Sequence, residues 1–251
     1  MSQAHKAARF AELHIKGTPL VLFNAWDAGS AKAVEQAGAP AVATSSWSVA
    51  EAQGYRDGED IPITLASQII ERIAATVDVP VSADFEGGYT DDDAALADNI
   101  SRLLGLGIVG INFEDRAVKG SGLYDAERQA TRISAIRRAA DKEGVAALFI
   151  NARTDLFLGQ GNEPSATVDE AVNRSKAYAD AGASGFFIPG LQEEPLIARM
   201  CEESALPVNV MVMDGLPDNE RLAQIGVARI SYGPTPYIQA MNGVRERAAR
   251  L

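Results

Sequence analysis

The chain has 251 residues, 47% of them hydrophobic, enough for one substantial core. Lys plus Arg number 23 against 34 Asp plus Glu, a net charge of −11, so the surface repels phosphate backbones and nucleic-acid binding is not expected. One cysteine, Cys201, and two histidines, His5 and His14, exclude an internal disulfide framework and a cysteine zinc cluster, and leave almost no room for a histidine-ligated metal or a Ser-His-Asp triad.

Residues 1–17 read as a polar helix with both histidines on its surface, and they lack the apolar region of a signal peptide. No apolar run approaches the length of a membrane span. The expectation is an acidic protein of the reducing cytoplasm that does not enter membranes. Short apolar runs then recur at intervals of roughly 20 to 40 residues with amphipathic stretches between them, the pattern of parallel βα units. The strand candidates are 20–23, 41–44, 79–83, 109–113, 146–151, 185–188, 208–211 and 228–231. Eight of them predict an α/β fold, a (β/α)8 TIM barrel, in a single domain over 1–251. An open doubly wound sheet is the alternative, but it wants a Gly-rich phosphate turn after an early strand, and none is present.

Helix signals lie between the strands. The stretch 28–35 leads to a stop at Gly38, Thr90-Asp91-Asp92-Asp93 offers capping oxygens to a helix running to 105–107, and 169–181 ends at Gly182. Cys201 sits in a helical stretch as a core residue. The segment 244–251 reads as a charged helix whose apolar positions face another subunit or its own barrel.

Two acidic clusters carry the chemistry: Ala83-Asp84-Phe85-Glu86-Gly87-Gly88-Tyr89 and Asn112-Phe113-Glu114-Asp115, each following a strand candidate. Acids at the ends of adjacent parallel strands share one mouth and repel unless a divalent cation neutralises them. Hard oxygen ligands suit Mg²⁺ or Mn²⁺, so Asp84, Glu86 and Glu114 are the candidate metal residues. Around them the strand ends supply Asn24, Trp26 and Asp27, then Thr44, Ser45 and Ser46, then Arg153 and Asp155, with Asn209 inside the seventh strand and Tyr232 and Gly233 after the eighth. Arg153 can clamp a carboxylate or enolate oxygen, and the Ser45–Ser46 turn can offer hydroxyls and backbone N–H groups.

In this order the motifs resemble the isocitrate lyase/phosphoenolpyruvate mutase superfamily. The segment 24–31 resembles its opening strand and helix, and Ser45-Ser46-Trp47-Ser48-Val49-Ala50 followed by Gly54-Tyr55-Arg56-Asp57 its substrate turn and the aspartate after it. Residues 83–89 resemble its metal motif, Phe113-Glu114-Asp115 its third acidic position and Ala152-Arg153-Thr154-Asp155 its Arg-Thr-Asp strand end. The resemblance covers about 20–235. It implies a barrel with a swapped C-terminal helix, a homo-oligomer (dimer or tetramer), Mg²⁺ or Mn²⁺, and a small carboxylate substrate whose C–C or P–C bond changes through an enolate. By position it implies Asp84 as direct ligand, Glu86 and Glu114 acting through water, Asp57 touching the metal's water shell, Ser45, Ser46 and Trp47 on the substrate carboxylate together with Asn209, and Arg153 on its oxygen.

The loop Arg116-Ala117-Val118-Lys119-Gly120-Ser121-Gly122 departs from the family pattern. Isocitrate and methylisocitrate lyases carry Lys-Lys-Cys-Gly-His here, and their cysteine protonates the departing carbon. This loop keeps Lys119 and offers only Ser121, a far weaker acid. It is also one residue shorter than the mutase loop. The expected function is a metal-dependent C–C lyase acting on a 2-oxo or 2-hydroxy carboxylate other than isocitrate, with Lys119, Ser121, Asp57 and Arg153 as catalytic candidates. The alternatives are a P–C bond mutase or hydrolase and a non-catalytic binder of 2-oxo acids.

Overall fold

A computed structural model describes residues 2–118, 120–159 and 164–251, with side chains from 167 onward in the last segment. Helix α1 (Gln3–Glu12) precedes β1 (Leu20–Leu22), α2 (Ala28–Gln36), β2 (Val42–Ala43), α3 (Ser46–Ala52) and α4 (Ile63–Thr76). Then come β3 (Val81–Asp84), α5 (Asp93–Gly105), β4 (Gly110–Glu114), α6 (Ala126–Lys142), β5 (Phe149–Arg153) and α7 (Pro164–Asp180). The chain ends with β6 (Gly185–Phe187), α8 (Glu194–Glu203), β7 (Val208–Met211), α9 (Asn219–Gln224), β8 (Arg229–Ser231) and α10 (Thr235–Ala248).

The strands are parallel and run β1-β8-β7-β6-β5-β4-β3-β2 around the sheet. The circle is nearly closed, as expected of a (β/α)8 barrel. Between β1 and β2 the ladder is replaced by one residue: Ala25 bridges Thr44, with its N–H on Ala43 O at 2.8 Å and its carbonyl accepting from Ser45 N–H at 3.2 Å.

Period-two alternation sorts each strand. Ile111, Phe113, Ile150, Ala152, Phe186, Val210 and Ile230 are buried under the helices. The alternate positions, Ser82, Asp84, Asn112, Glu114, Asn151, Arg153, Asn209, Arg229 and Ser231, belong to the opposite, interior face. A barrel interior is usually filled by branched apolar side chains; this one is polar through most of its depth.

The N-terminal end is plugged from α1. Phe10 is fully buried against Phe149 (ring centroids 5.6 Å apart), and Gly110 leaves the space, since a Cβ there would lie 2.5 Å from the Phe10 ring. His14, expected on the surface, is buried beyond the end of α1. Its ring stacks on Phe149 at 3.7 Å and its Nδ1 lies 2.8 Å from Phe10 O. The attraction is tertiary and leaves no mark in the local pattern. The fifth strand also begins later than expected, at Phe149, which draws Arg153 into the strand itself.

Candidate active site

The mouth is assembled from caps and turns. Ser45 caps α3 through Ser48 N–H, which leaves the first-turn N–H of Ser46 free to donate to Asp84 Oδ2 at 3.0 Å; the Ser46 hydroxyl donates to the same oxygen at 2.7 Å. Asp84 Oδ1 accepts from Asn112 Nδ2 at 3.3 Å. Asp92 caps α5 as the Thr90–Asp93 run predicts. The turn between them, 85–90, holds Glu86 and Tyr89 in the left-handed backbone region (φ 50° and 65°). Buried Arg132 pins this turn by donating to Gly87 O and Thr90 O, its guanidinium lying over the Phe113 and Tyr124 rings.

A cavity of about 150 Å³ opens at the C-terminal ends of the strands. Its polar lining is Asn24, Ser45, Ser46, Asp57, Asp84, Asn112, Arg153 and Ser231, with Trp47 beside them. Its other walls are Leu158, Phe187, Pro189, Met211 and Pro234. Glu86 and Glu114 line an adjoining cleft of about 130 Å³ together with Glu59, Arg116 and Val118. Among the described residues no three His, Cys, Asp or Glu side chains converge closely enough to bind one cation directly. The acids therefore do not form a direct cage: Asp84 faces the main cavity, and the two glutamates stand behind it.

They still feel one another. Burial, then Glu114, Asp57, Asp84 and Glu59, pushes the Glu86 carboxyl up to about 9. Burial and then Asp84 raise Asp57, against Arg153 and Arg116. Burial raises Glu114 too, opposed by Arg153 and reinforced by Asp155, Asp84 and Asp57. Burial alone would lower Arg153, but Glu114 and Asp155 outweigh it and hold the guanidinium charged. Its Nη1 meets Glu114 Oε2 at 2.9 Å, and Nε and Nη2 grip Asp155 at 2.6 and 3.0 Å. Asp155 thus takes two of its N–H donors and Glu114 pairs with the Nη1 side of the fork. Asp155 is fixed in turn, its N–H donating to Asp115 Oδ1 at 3.0 Å, while Asp115 Oδ2 takes Arg174 and Tyr178, each at 3.1 Å. Hard oxygen donors in acidic excess, with Glu86, Asp57 and Glu114 pushed up first by burial and then by neighbouring acids, make a donor set that fits a divalent cation.

Of the other predicted residues, Ser45, Ser46, Trp47, Asp57 and Arg153 come together at the cavity. Asn209 does not line it; its side chain is buried beside Ser231 (Nδ2 to Oγ, 3.2 Å). Ser121 is exposed on a loop closed by the Arg116–Leu123 bridge and lines neither cavity. Lys119 lies outside the described residues. Sequence reading passed over Ser231, Arg132 and Glu59, and left Asn112 without a role. Asn112 stood two residues before Glu114 on the same strand face, a signal that period-two counting carries.

Fold and site together define a TIM-barrel protein with an acid-rich, cation-suited mouth over a small carboxylate-sized cavity. A family model for phosphoenolpyruvate phosphomutase matches residues 10–251, and the chain belongs to that family, within the isocitrate lyase/phosphoenolpyruvate mutase superfamily. It is 34% identical over 233 residues to the uncharacterised protein Rv1998c of Mycobacterium tuberculosis (strain ATCC 25618 / H37Rv), covering 91% of this chain and 83% of that one. It is 28% identical over 193 residues to the oxaloacetate decarboxylase of Pseudomonas entomophila (strain L48), covering 72% and 63%. A crystal structure of a Burkholderia cenocepacia J2315 protein, provisionally named a phosphonomutase, superposes with a TM-score of 0.95 at 43% identity over 99% of both chains. A phosphonopyruvate hydrolase solved with oxalate and Mg²⁺ shares the fold (TM-score 0.85, 23% identity, 100% and 87% covered). Superfamily members are Mg²⁺-dependent C–C or P–C lyases and mutases, which supports an enzyme here.

Proposed function

We propose that this protein is a Mg²⁺-dependent lyase that cleaves a C–C bond of a small 2-oxo or 2-hydroxy carboxylate through an enolate. The observation that carries this reading is the mixed lining of the cavity, where acids, hydroxyls and one guanidinium meet Leu158, Phe187, Pro189, Met211 and Pro234. Bound Mg²⁺ would polarise the substrate's α-oxygen and offset the negative charge that develops on bond cleavage. Asp84 would hold the ion, in an orientation set by Ser46 and Asn112. Ser45 and Trp47 would bind the carboxylate, with Ser46 committed to Asp84, and Arg153 would bind its neighbouring oxygen. Leu158, Phe187 and Met211 would exclude water.

This largely apolar complement to the lining favours C–C over P–C cleavage. A phosphonate dianion wants cations and donors around all its oxygens, and among the described residues Arg153 is the one cation lining the cavity. The P–C reading rests on the family model's name and on the Burkholderia neighbour. Isocitrate-type cleavage with a cysteine acid is not favoured, because Cys201 is buried in α8 and burial pushes its thiol up to about 11. A reduced, buried Cys201 is consistent with work in the cytoplasm, and among the described residues no helix is long and apolar enough to cross a membrane.

A homo-oligomer completes the reading. Val21 and Phe23 at β1 are 38% and 43% exposed, and of the residues in α10 only Pro236 is buried. A neighbouring subunit's α10 would cover this face.

The test is a screen with purified protein and Mg²⁺ over oxaloacetate, alkyl-substituted malates and phosphonopyruvate. The expected result is pyruvate or another 2-oxo acid released from a carbon substrate, without inorganic phosphate from phosphonopyruvate. Phosphate or phosphoenolpyruvate formed from phosphonopyruvate would establish the P–C reading, and Mg²⁺-dependent oxalate binding with no turnover on any substrate would mark a binder.

A further inference from the structure

Arg229 crosses the barrel. From β8 its Nη2 donates to Asn112 Oδ1 on β4 at 3.1 Å, and its Nε donates to Ser231 Oγ at 3.2 Å. The side chain is 1% exposed, and among the described residues Nη1 has no hydrogen-bond partner. Among the described residues no carboxylate lies within ion-pair distance of it, whereas Arg153 and Arg174, also largely buried, have Glu114 and Asp155, and Asp115 and Glu170. Buried charges are ordinarily paired. A glutamine is two atoms shorter and would withdraw its donor from Asn112, so arginine supplies both the reach and the charge.

That charge lies one amide from the site. Asn112 Oδ1 also accepts from Asn151 Nδ2 at 2.8 Å. Two donors on the oxygen settle which way the amide points, and Nδ2 is left to donate to Asp84. Asn112 and Ser231 both line the cavity, and Arg229 stands one position deeper than Ser231 on the same face of β8. In a desolvated interior its field is weakly screened. We infer that Arg229 is a positioning residue of this site: it orients the Asn112 amide against Asp84 and supplies, from beneath the cavity, a positive charge that favours an anionic ligand. The inference rests on the Mg²⁺ and carboxylate reading above.

The experiment is calorimetry of the full chain with Mg²⁺ alone and with oxalate in the presence of Mg²⁺. R229Q removes the charge and keeps an amide donor. R229K keeps the charge. N209D is isosteric and sets a negative charge on the residue paired with Arg229 across the β7–β8 ladder, offsetting the guanidinium's field and so answering the question even if R229Q does not fold. R229Q and N209D are expected to weaken oxalate, measured in saturating Mg²⁺, at least tenfold and Mg²⁺ alone by a smaller factor, and R229K to recover most of the oxalate loss. Unchanged oxalate affinity in N209D or in folded R229Q overturns the inference. Equal losses in R229K and R229Q overturn it, as does a loss of Mg²⁺ affinity equal to the loss of oxalate affinity. If the wild type binds no oxalate with Mg²⁺, the reading of the site falls and Arg229's role with it; if the wild type binds and the variants match it, only Arg229's role falls.

Discussion

Ser46 holds Asp84 twice, through its backbone N–H at 3.0 Å and through its hydroxyl at 2.7 Å, both on Oδ2. Both bonds follow from one local choice, the Ser45 cap that starts α3 at this point. Ser46→Ala keeps the N–H contact and loses the hydroxyl. Partners of metal ligands typically account for about ten- to a hundredfold in affinity. The expected outcome is Mg²⁺ binding weaker by about tenfold with little change in melting temperature, read by calorimetry and thermal unfolding.

Asp84→Ala removes the one acid of the metal trio that faces the main cavity. Mg²⁺ binding is expected to vanish from the calorimetric trace while circular dichroism and the cooperative melt persist, because Asp84 ends β3 and carries no core packing. Unchanged metal affinity would remove Asp84 from the site.

His14 gives a stability prediction with a definite sign. Burial, then the nearby Arg229, lowers its pKa from 6.5 to about 3. The Phe10 carbonyl accepts from Nδ1, so Nε2 is left bare, buried and without a partner. The folded protein keeps the ring neutral, whereas the unfolded chain protonates it below pH 6.5. This contribution is therefore fully present above 6.5 and is lost as pH falls toward 3. Between about pH 7 and about pH 5 it amounts to about 2 kcal/mol. Urea unfolding of wild type and His14→Phe at both pH values should show the variant losing less stability, since phenylalanine keeps the stack on Phe149 and cannot protonate.

Gly190, just after β6, has a φ of +96°, and a Cβ there would lie 2.5 Å from the backbone oxygen of Phe157. That neighbour cannot swing aside as a side chain would. Gly190→Ala is expected to cost about 2 kcal/mol or more, seen as a lower melting temperature, and to disturb the neighbouring cavity wall at Leu158 and Pro189.

The exposed pair Val21 and Phe23 sets the assembly prediction. Sedimentation of the wild type should show a dimer or tetramer, and Phe23→Asp should release smaller species. A wild type that sediments as a monomer would reject the homo-oligomer.

Much of this was legible from residue order. All eight strands lie at or within a few residues of their expected places, because each is a short apolar run with glycine or proline punctuation. The acids, the Ser45–Ser46 turn and Arg153 were found because strand ends of a parallel barrel converge. What was missed lies inside the strands. Asn112, Asn151 and Arg229 alternate with Phe113, Ile150 and Ile230, so an apolar average hides them, although counting by twos would have placed them on the barrel axis. Asn209 was noticed and placed one layer too high. Ser121 was chosen for its chemistry, and the loop's fold turns it outward. His14 was read from its helical neighbours, while its fate is decided by a ring more than a hundred residues away in sequence.

Among the described residues, the backbone bonds that fasten the hoop of the barrel between its first and second staves both belong to Ala25. Amides there should trade hydrogen for deuterium before those of the five-residue pairing between β4 and β5. Ser45 and Asn24 lie at this clasp: Ser45 donates its N–H to Ala25, and Asn24 ties Thr44 to Gly233 across it. A ligand resting on both would cinch the gap, so that filling the pocket stiffens the whole ring.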